Sequence, residues 1–423
     1  MTDASTERTR AAVALCAAAP DDMTAAAARR GEPEPLWTLF RVVLMLSAAS
    51  WGGLALMAQL ELHYVEREQR FTRIEFSDLV ALAWMVPGAV GCNVAVQVGH
   101  ALRGRAGAWV AGFASVLPFF VTMSAFAIFY RSPVVRALAS PALIHHFGVV
   151  LAALIGLTWY RQTRVLVRTG LDWGATLVTS VVLLSLHSAA AFVAVLAGAF
   201  FAGWIASPSR DGRLHVEFSH GDRLMACFLV ALIALFVAPL PGQYQAALLW
   251  PRLAGAGMTL FGGGFSALPV LKTLFVTPEV GVSPNEFTLA FALSPVSPGP
   301  LLNVVPFLGY LTHGWIGALG ATCALFIPSG MMIVFARRHL HRLESHARFE
   351  HGMRVLRAAT TAFLLTAVVH VAEHVPLRPA YVATAIMALV GFSRLKVPVY
   401  AVYAAVALAY GAASLLGYRA MMQ

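Results

Sequence analysis

Apolar residues along the chain come in blocks of about 20, the length a helix needs to cross a bilayer core of ~30 Å, and polar residues gather where the blocks break. The blocks fall near 38–58, 77–98, 107–130, 143–160, 171–188, 189–207, 224–240, 248–272, 287–310, 316–335, 358–375, 381–395 and 397–417. They predict an all-α polytopic membrane protein with about 10 to 13 transmembrane helices. Residues 171–207 hold two helices only if the chain turns tightly near His187-Ser188, and the block at 381–395 is short.

Composition agrees with that pattern. Of 423 residues 59% are hydrophobic and 12% charged, about half the ~25% usual in soluble domains. Mean hydropathy is +0.73. This excludes secreted disulfide scaffolds, nucleic-acid binders and disordered chains. The net charge of +10 is instead explained by cytoplasmic loops. With the N-terminus inside, those loops carry Arg103, Arg105, Arg161, Arg164, Arg168, Arg210, Arg213, Arg223, a run from Arg337 to Arg357, and Arg394 with Lys396. The loop at 59–76 is net acidic and is expected outside, whereas Arg131, Arg136 and Arg378 run against the rule. Residues 1–35 lack the apolar core of a signal peptide and read as a disordered cytoplasmic extension. Cys16, Cys92, Cys227 and Cys323 form no CxxC spacing, and the last three sit in apolar runs as small hydrophobes.

The chain also repeats itself at an offset of 210 to 211 residues. Trp51-Gly52-Gly53 matches Phe261-Gly262-Gly263, Glu75-Phe76 matches Glu286-Phe287, and Pro87-Gly88 matches Pro298-Gly299. Gly99 matches Gly309, Gly107-Ala108 matches Gly317-Ala318, and Pro118 matches Pro328. The expected organisation is an extension over 1–35, a first repeat over 36–207, a loop and linking helix over 208–247, and a second repeat over 248–423. Seven blocks from one double glycine to the next, an odd number, turn the second repeat upside down. Inverted repeats with broken helices are an architecture of secondary transporters, whose site lies near the midplane.

The breaks are legible. Gly52-Gly53 and Gly262-Gly263-Gly264 are side-chain-poor backbone, while Pro87-Gly88 and Pro298-Gly299-Pro300 interrupt helical hydrogen bonding. Unwound backbone in a bilayer must be satisfied by protein, water or ligand, and amides at half-helix starts carry partial positive charge that suits an anion. Packing of small residues accounts for an isolated glycine pair equally well.

At these residues the sequence resembles the chromate transporter family. The stretch from Phe261 to Pro269 resembles the family's glycine-rich signature, and Ser297 to Pro300 followed by Phe307-Leu308-Gly309-Tyr310 its second. The resemblance extends over about 36–420 and implies a bidomain inner-membrane carrier that exports chromate, a sulfate-like oxyanion, with protons as the coupling ion. The first repeat departs from the family pattern. Leu54, Leu56 and Met57 stand where the family has Pro and an Ala-His pair, and Ala89 replaces the last Pro of Pro-Gly-Pro. A carrier of another anion is therefore the second reading.

Intramembrane polar residues complete the candidate site. Asn93 and Gln97 share a helical face after the first Pro-Gly break and Asn303 follows the second, placed either to orient an oxyanion or to join helices. Lys272 either balances substrate charge or snorkels to the interface. The expected substrate-binding set is Gly52, Gly53, Pro87, Gly88, Asn93, Gln97, Gly262, Gly263, Gly264, Pro269, Lys272, Pro298, Gly299, Pro300 and Asn303. His100 and His313 are proton-carrier or interfacial histidines. His370-x-x-Glu373-His374 has the form of an inverted zinc-hydrolase motif, but no third ligand is placed by spacing, so a membrane-embedded hydrolase is the remote alternative. No catalytic residue, resident metal or cofactor is expected. The lipid bilayer is a partner, nucleic acid is not, and a homodimer is compatible with the sequence.

Overall fold

The computed structural model describes residues 34–51, 55–138, 140–186, 188–208, 219–261, 264–299, 302–344, 346–373 and 375–415. Most of the expected N-terminal extension lies outside them, as do Gly52, Gly53, Gly262, Gly263, Pro300 and His374.

The described residues are helical. In the first repeat α1 is Leu36–Ala48, α2 is Ala55–Glu61 running into a π-helical turn Leu62–Arg67, α3 is Arg73–Met85 and α4 is Val90–Arg131. Helices α5 (Pro141–Leu166), α6 (Gly170–Ser185), α7 (Ala189–Ile205) and α8 (His220–Val237) lead to the second repeat. There α9 is Leu249–Gly257, α10 is Ala267–Phe275, α11 is Pro284–Leu293 and α12 is Val304–Glu344. Last come α13 (Ala347–Ala372), α14 (Pro379–Ser393) and α15 (Val399–Leu415). Local signals repeat too: Thr72 with Glu75 and Ser283 with Glu286 form the same capping box at the starts of α3 and α11.

Four of the thirteen apolar blocks are not single helices. The blocks at 38–58, 77–98, 248–272 and 287–310 are each two short helices joined by a break. A helix of 13 residues such as α1 or α3 is about 20 Å long, too short for a bilayer core. Each block folds back at its break. Glu34 before α1 lies against Tyr64 and Arg70 beyond α2, and in the second repeat Gly242 lies against Glu279 in the same way. The loop at 59–76, expected outside, therefore lies on the same side as the start of α1. Summed hydropathy hides these reversals, because the few prolines, glycines and small residues of the breaks lower it too little to split a block.

Helix α4 also reverses. At Arg103 (φ −143°) and Gly104 (φ +59°) it leaves helical geometry, and at His313 (φ −135°) and Gly314 (φ +60°) α12 does the same. Residues 90–102 (α4a) then pack antiparallel on 105–131 (α4b), and 304–312 (α12a) on 315–344 (α12b). Gly99 and Gly107 touch at this crossing; a Cβ on Gly99 would stand 2.3 Å from the Gly107 carbonyl oxygen, and one on Gly309 2.3 Å from that of Gly317. The side chains of α3 join one hydrophobic cluster with α4a, the first turns of α4b, and Ile333 and Ala336 near the far end of α12b.

The two repeats run in opposite directions. Arg131 at the end of α4b donates to Leu311 O, just before α12b begins, at 2.7 Å, and midway Phe119 packs on Phe326 with centroids 5.2 Å apart. Helices α4b and α12b are thus antiparallel, as an inverted repeat requires. Between the two repeats' first hairpins lie α4b, α5, α6, α7 and α8, still an odd number of long helices. Helix ends rich in arginine gather on one face: Asp172 lies 3.8 Å from Arg354, and His351 bonds Gly203 O at 2.8 Å. Large apolar side chains such as Leu177, Val178, Val181, Ile205 and Ile316 are exposed, as lipid contact demands.

Candidate functional site: the meeting of four hairpin tips

The tips of the four hairpins meet in two pairs, each formed across the repeats, so that each repeat holds the other's break. The Gly88 N–H donates to Leu260 O at 2.8 Å, and the Gly299 N–H donates to Ser50 O at 2.8 Å. Leu260 and Ser50 are equivalent residues 210 apart, each just ahead of a double glycine, so the two bonds are related by a two-fold exchange. Trp51 and Gly299 also form an isolated parallel bridge. Gly88 and Gly299 have φ of +118° and +99°, which only glycine adopts without strain.

Short helices start at these tips. Helix α4a begins at Val90, α12a at Val304, and a 3₁₀ turn Gly264–Ser266 leads into α10. Helix starts present amides without intrahelical acceptors and carry partial positive charge, while α1, α3, α9 and α11 end at the same breaks and bring carbonyls with partial negative charge. Gly264 and Pro269 lie in this buried segment.

Polar side chains at the tips pin backbone. Asn93 is 2% exposed; its Nδ2 donates to Pro87 O at 3.4 Å. Ser329 Oγ reaches Pro87 O at 3.0 Å and Asn93 Oδ1 at 3.2 Å from the opposite repeat. Asn303 Nδ2 donates to Ser294 O at 2.9 Å and to Ser297 Oγ, and Asn303 Oδ1 accepts from Ser294 Oγ. Ser266 Oγ donates to Phe261 O at 2.7 Å. Carbonyls at the breaks thereby receive donors from protein side chains.

Other residues of the sequence-derived set lie apart. Gln97 is about two and a half turns along α4a from Gly88 and accepts from Arg337. Lys272 is on α10, packed with Leu268, Phe287 and His370, on the side of Glu373. Pro87 and Pro298 sit in the breaks beside their glycines. His313 is a kink residue, its ring 5.6 Å from Trp250. His370 Nδ1 is 3.4 Å from Glu373 Oε2, and among the described residues no group of three metal-ligating side chains assembles.

A cavity of about 800 Å³ is walled by residues 105–120 of α4b, residues 319–335 of α12b and the start of α8, with Arg105 and Asp222 among its lining residues and Asn93 in its wall. Its walls are largely apolar, with Trp109, Phe113, Phe326 and Phe335 among them. Of the sequence-derived set only Asn93 lines it. Sequence reasoning missed Ser329 and Arg337. Ser329 follows Pro328 of the repeat and was findable there; Arg337 was hidden in a basic cluster.

Half-depth hairpins meeting at broken tips, in two inverted repeats clad in apolar helices, define a multi-pass membrane transport protein. The chain belongs to the chromate transporter family, whose sequence profile matches residues 37–204 and 247–412. It is 28% identical over 332 residues to a chromate transport protein of Cupriavidus metallidurans, covering 74% of this chain and 77% of that one. A probable chromate transport protein of Synechococcus elongatus is 26% identical over 340 residues, 78% of this chain and 83% of the relative. An uncharacterized transporter of Methanocaldococcus jannaschii is 23% identical over 357 residues, 81% and 86% of the two chains. No solved structure matches.

Proposed function

We propose that this protein is a secondary carrier that exports chromate or a closely related, sulfate-like oxyanion across the cytoplasmic membrane. The observation that carries the reading is the reciprocal pair of bonds from Gly88 to Leu260 and from Gly299 to Ser50. It ties each tip of one repeat to a tip of the other and sets their helix starts at the breaks, where backbone amides suit a tetrahedral anion. The substrate-binding set is the tip backbone with Asn93 and Asn303 as its supports. Alternating access is movement of one repeat against the other around this point. The arginine-rich face is cytoplasmic by the positive-inside rule, which places the N-terminus inside. Protons are the coupling ion, and the protein works in the inner membrane.

The test is flux of chromate, sulfate, molybdate and phosphate in vesicles containing the purified chain, with a pH gradient imposed in each direction. Saturable chromate flux that reverses with the gradient is expected. Flux of another anion without chromate selects the second reading, a carrier whose diverged first repeat has changed its substrate.

A further inference from the structure

Away from the tips, two donors sit side by side with too few acceptors. Gln97 is 1% exposed, and its Nε2 has no hydrogen-bond partner among the described residues. Its backbone carbonyl and Oε1 both accept from Arg337 Nη1, at 3.1 and 3.2 Å. Arg337 is half-buried near the basic end of α12b, and among the described residues it joins no ion pair and makes no other hydrogen bond. Most of the five N–H donors a guanidinium carries are therefore unused by those residues.

An uncompensated cation and an orphaned amide donor are each costly in apolar surroundings. The fold does not require them. The equivalent positions of the other repeat are Ala127 and Phe307, and Phe307 is fully buried with its ring 5.9 Å from Tyr130. The same backbone is thus built on one side with an apolar pair and on the other with a cation and an amide. One ligand class satisfies both donors at once, an anion with several acceptor oxygens held by a planar guanidinium fork and a third N–H.

We propose that Arg337 and Gln97 form an oxyanion-binding site between α12b and α4a, about 13 Å along α4a from the Pro87-Gly88 break. The site rests on the reading that the tips accept an oxyanion, and it adds a capture point on the arginine-rich side of them. The pair presents donors only, its oxygens being engaged already, so a fully ionised oxyanion is preferred over a cation or a neutral solute.

Concentration-dependent chromate flux in vesicles tests it, paired with melting of the purified full chain with and without added chromate or sulfate. Arg337→Gln and Gln97→Leu each raise KM about tenfold with kcat little changed, and each reduces the anion-induced rise in Tm. Arg337→Lys restores part of the affinity, and the double variant is no worse than the poorer single one. Unchanged KM and unchanged anion stabilisation in Arg337→Gln overturn the site. So does a defect confined to kcat and to Tm without anion, which marks a purely structural bond. If the unmodified chain moves no chromate, the transport reading fails separately, and anion stabilisation of unmodified chain against Arg337→Gln still decides the site.

Discussion

The two breaks share a backbone and differ in chemistry. At the first, Gly88 stands against Ser329, and Asn93 and Ser329 together satisfy Pro87 O. At the second, Gly299 stands against Phe119, the equivalent of Ser329, and Asn303 is bonded to Ser294 and Ser297, where the first repeat has Ala83 and Val86. One turn further the contrast continues, with Gln97 and Arg337 on one side and Phe307 and Ala127 on the other. Duplication preserved what holds an unwound chain in a membrane, the positive-φ glycine and the cross-repeat carbonyl. Side chains around it were free to diverge once each carbonyl had some donor.

The largest effect that can break this comparison is at the glycines. Gly88→Leu and Gly299→Leu each put a side chain on a positive-φ backbone, where a Cβ would lie 2.0 Å from Ser329 Oγ and 2.8 Å from Phe119 respectively. Each lowers chromate flux by about a hundredfold or more. If one is silent, the two tips are not equivalent in function.

Packing comes next. Phe119→Ala removes a fully buried ring packed against Phe326 and is expected to cost about 3–4 kcal/mol of stability, read by thermal unfolding. Ser329→Ala removes only a hydroxyl, at about 1 kcal/mol. Equal losses would mean the two positions pack alike after all. The asparagines sharpen the point. Asn303→Leu removes the side-chain bonds to buried Ser294 and Ser297 and costs about 2–3 kcal/mol, whereas Asn93→Leu leaves Pro87 O still bonded to Ser329 and costs about 1 kcal/mol. Smallest are the matched caps: Thr72→Ala and Ser283→Ala are each worth about 1 kcal/mol, and their near equality checks that the repeats agree where they are built alike.

Much of this was legible in the sequence. Pro87-Gly88 and Pro298-Gly299 marked both breaks, the fixed offset paired them, and an odd count between them gave inversion. That inference survived the change from seven blocks to five long helices because the hairpins return to the face they leave. The hairpins themselves were not legible, since a reversal between two 13-residue helices has the same summed hydropathy as one crossing. Nor were the kinks at Gly104 and Gly314, although they recur at the repeat offset and could have been found by it. Which tip meets which is a long-range fact that no local pattern carries. Asn93 and Asn303 were singled out beside the breaks, either to orient an oxyanion or to join helices, and the structure shows both bonded to backbone there. Arg337 escaped because a neighbouring arginine at 338 made it one more loop charge, whereas its contact with Gln97 lies 240 residues away.

The central claim is that both repeats build one anion site from their tips. Equilibrium binding of radiolabelled chromate to the purified full chain in nanodiscs tests it most directly, comparing Arg337→Gln, which lacks the second site, with the same variant carrying Gly88→Leu or Gly299→Leu, each checked for folding by its melting transition. Loss of tip binding in either folded variant, however intact the other break, is the predicted result. Binding that persists at full affinity in both folded variants would contradict the claim and place the anion elsewhere in the protein.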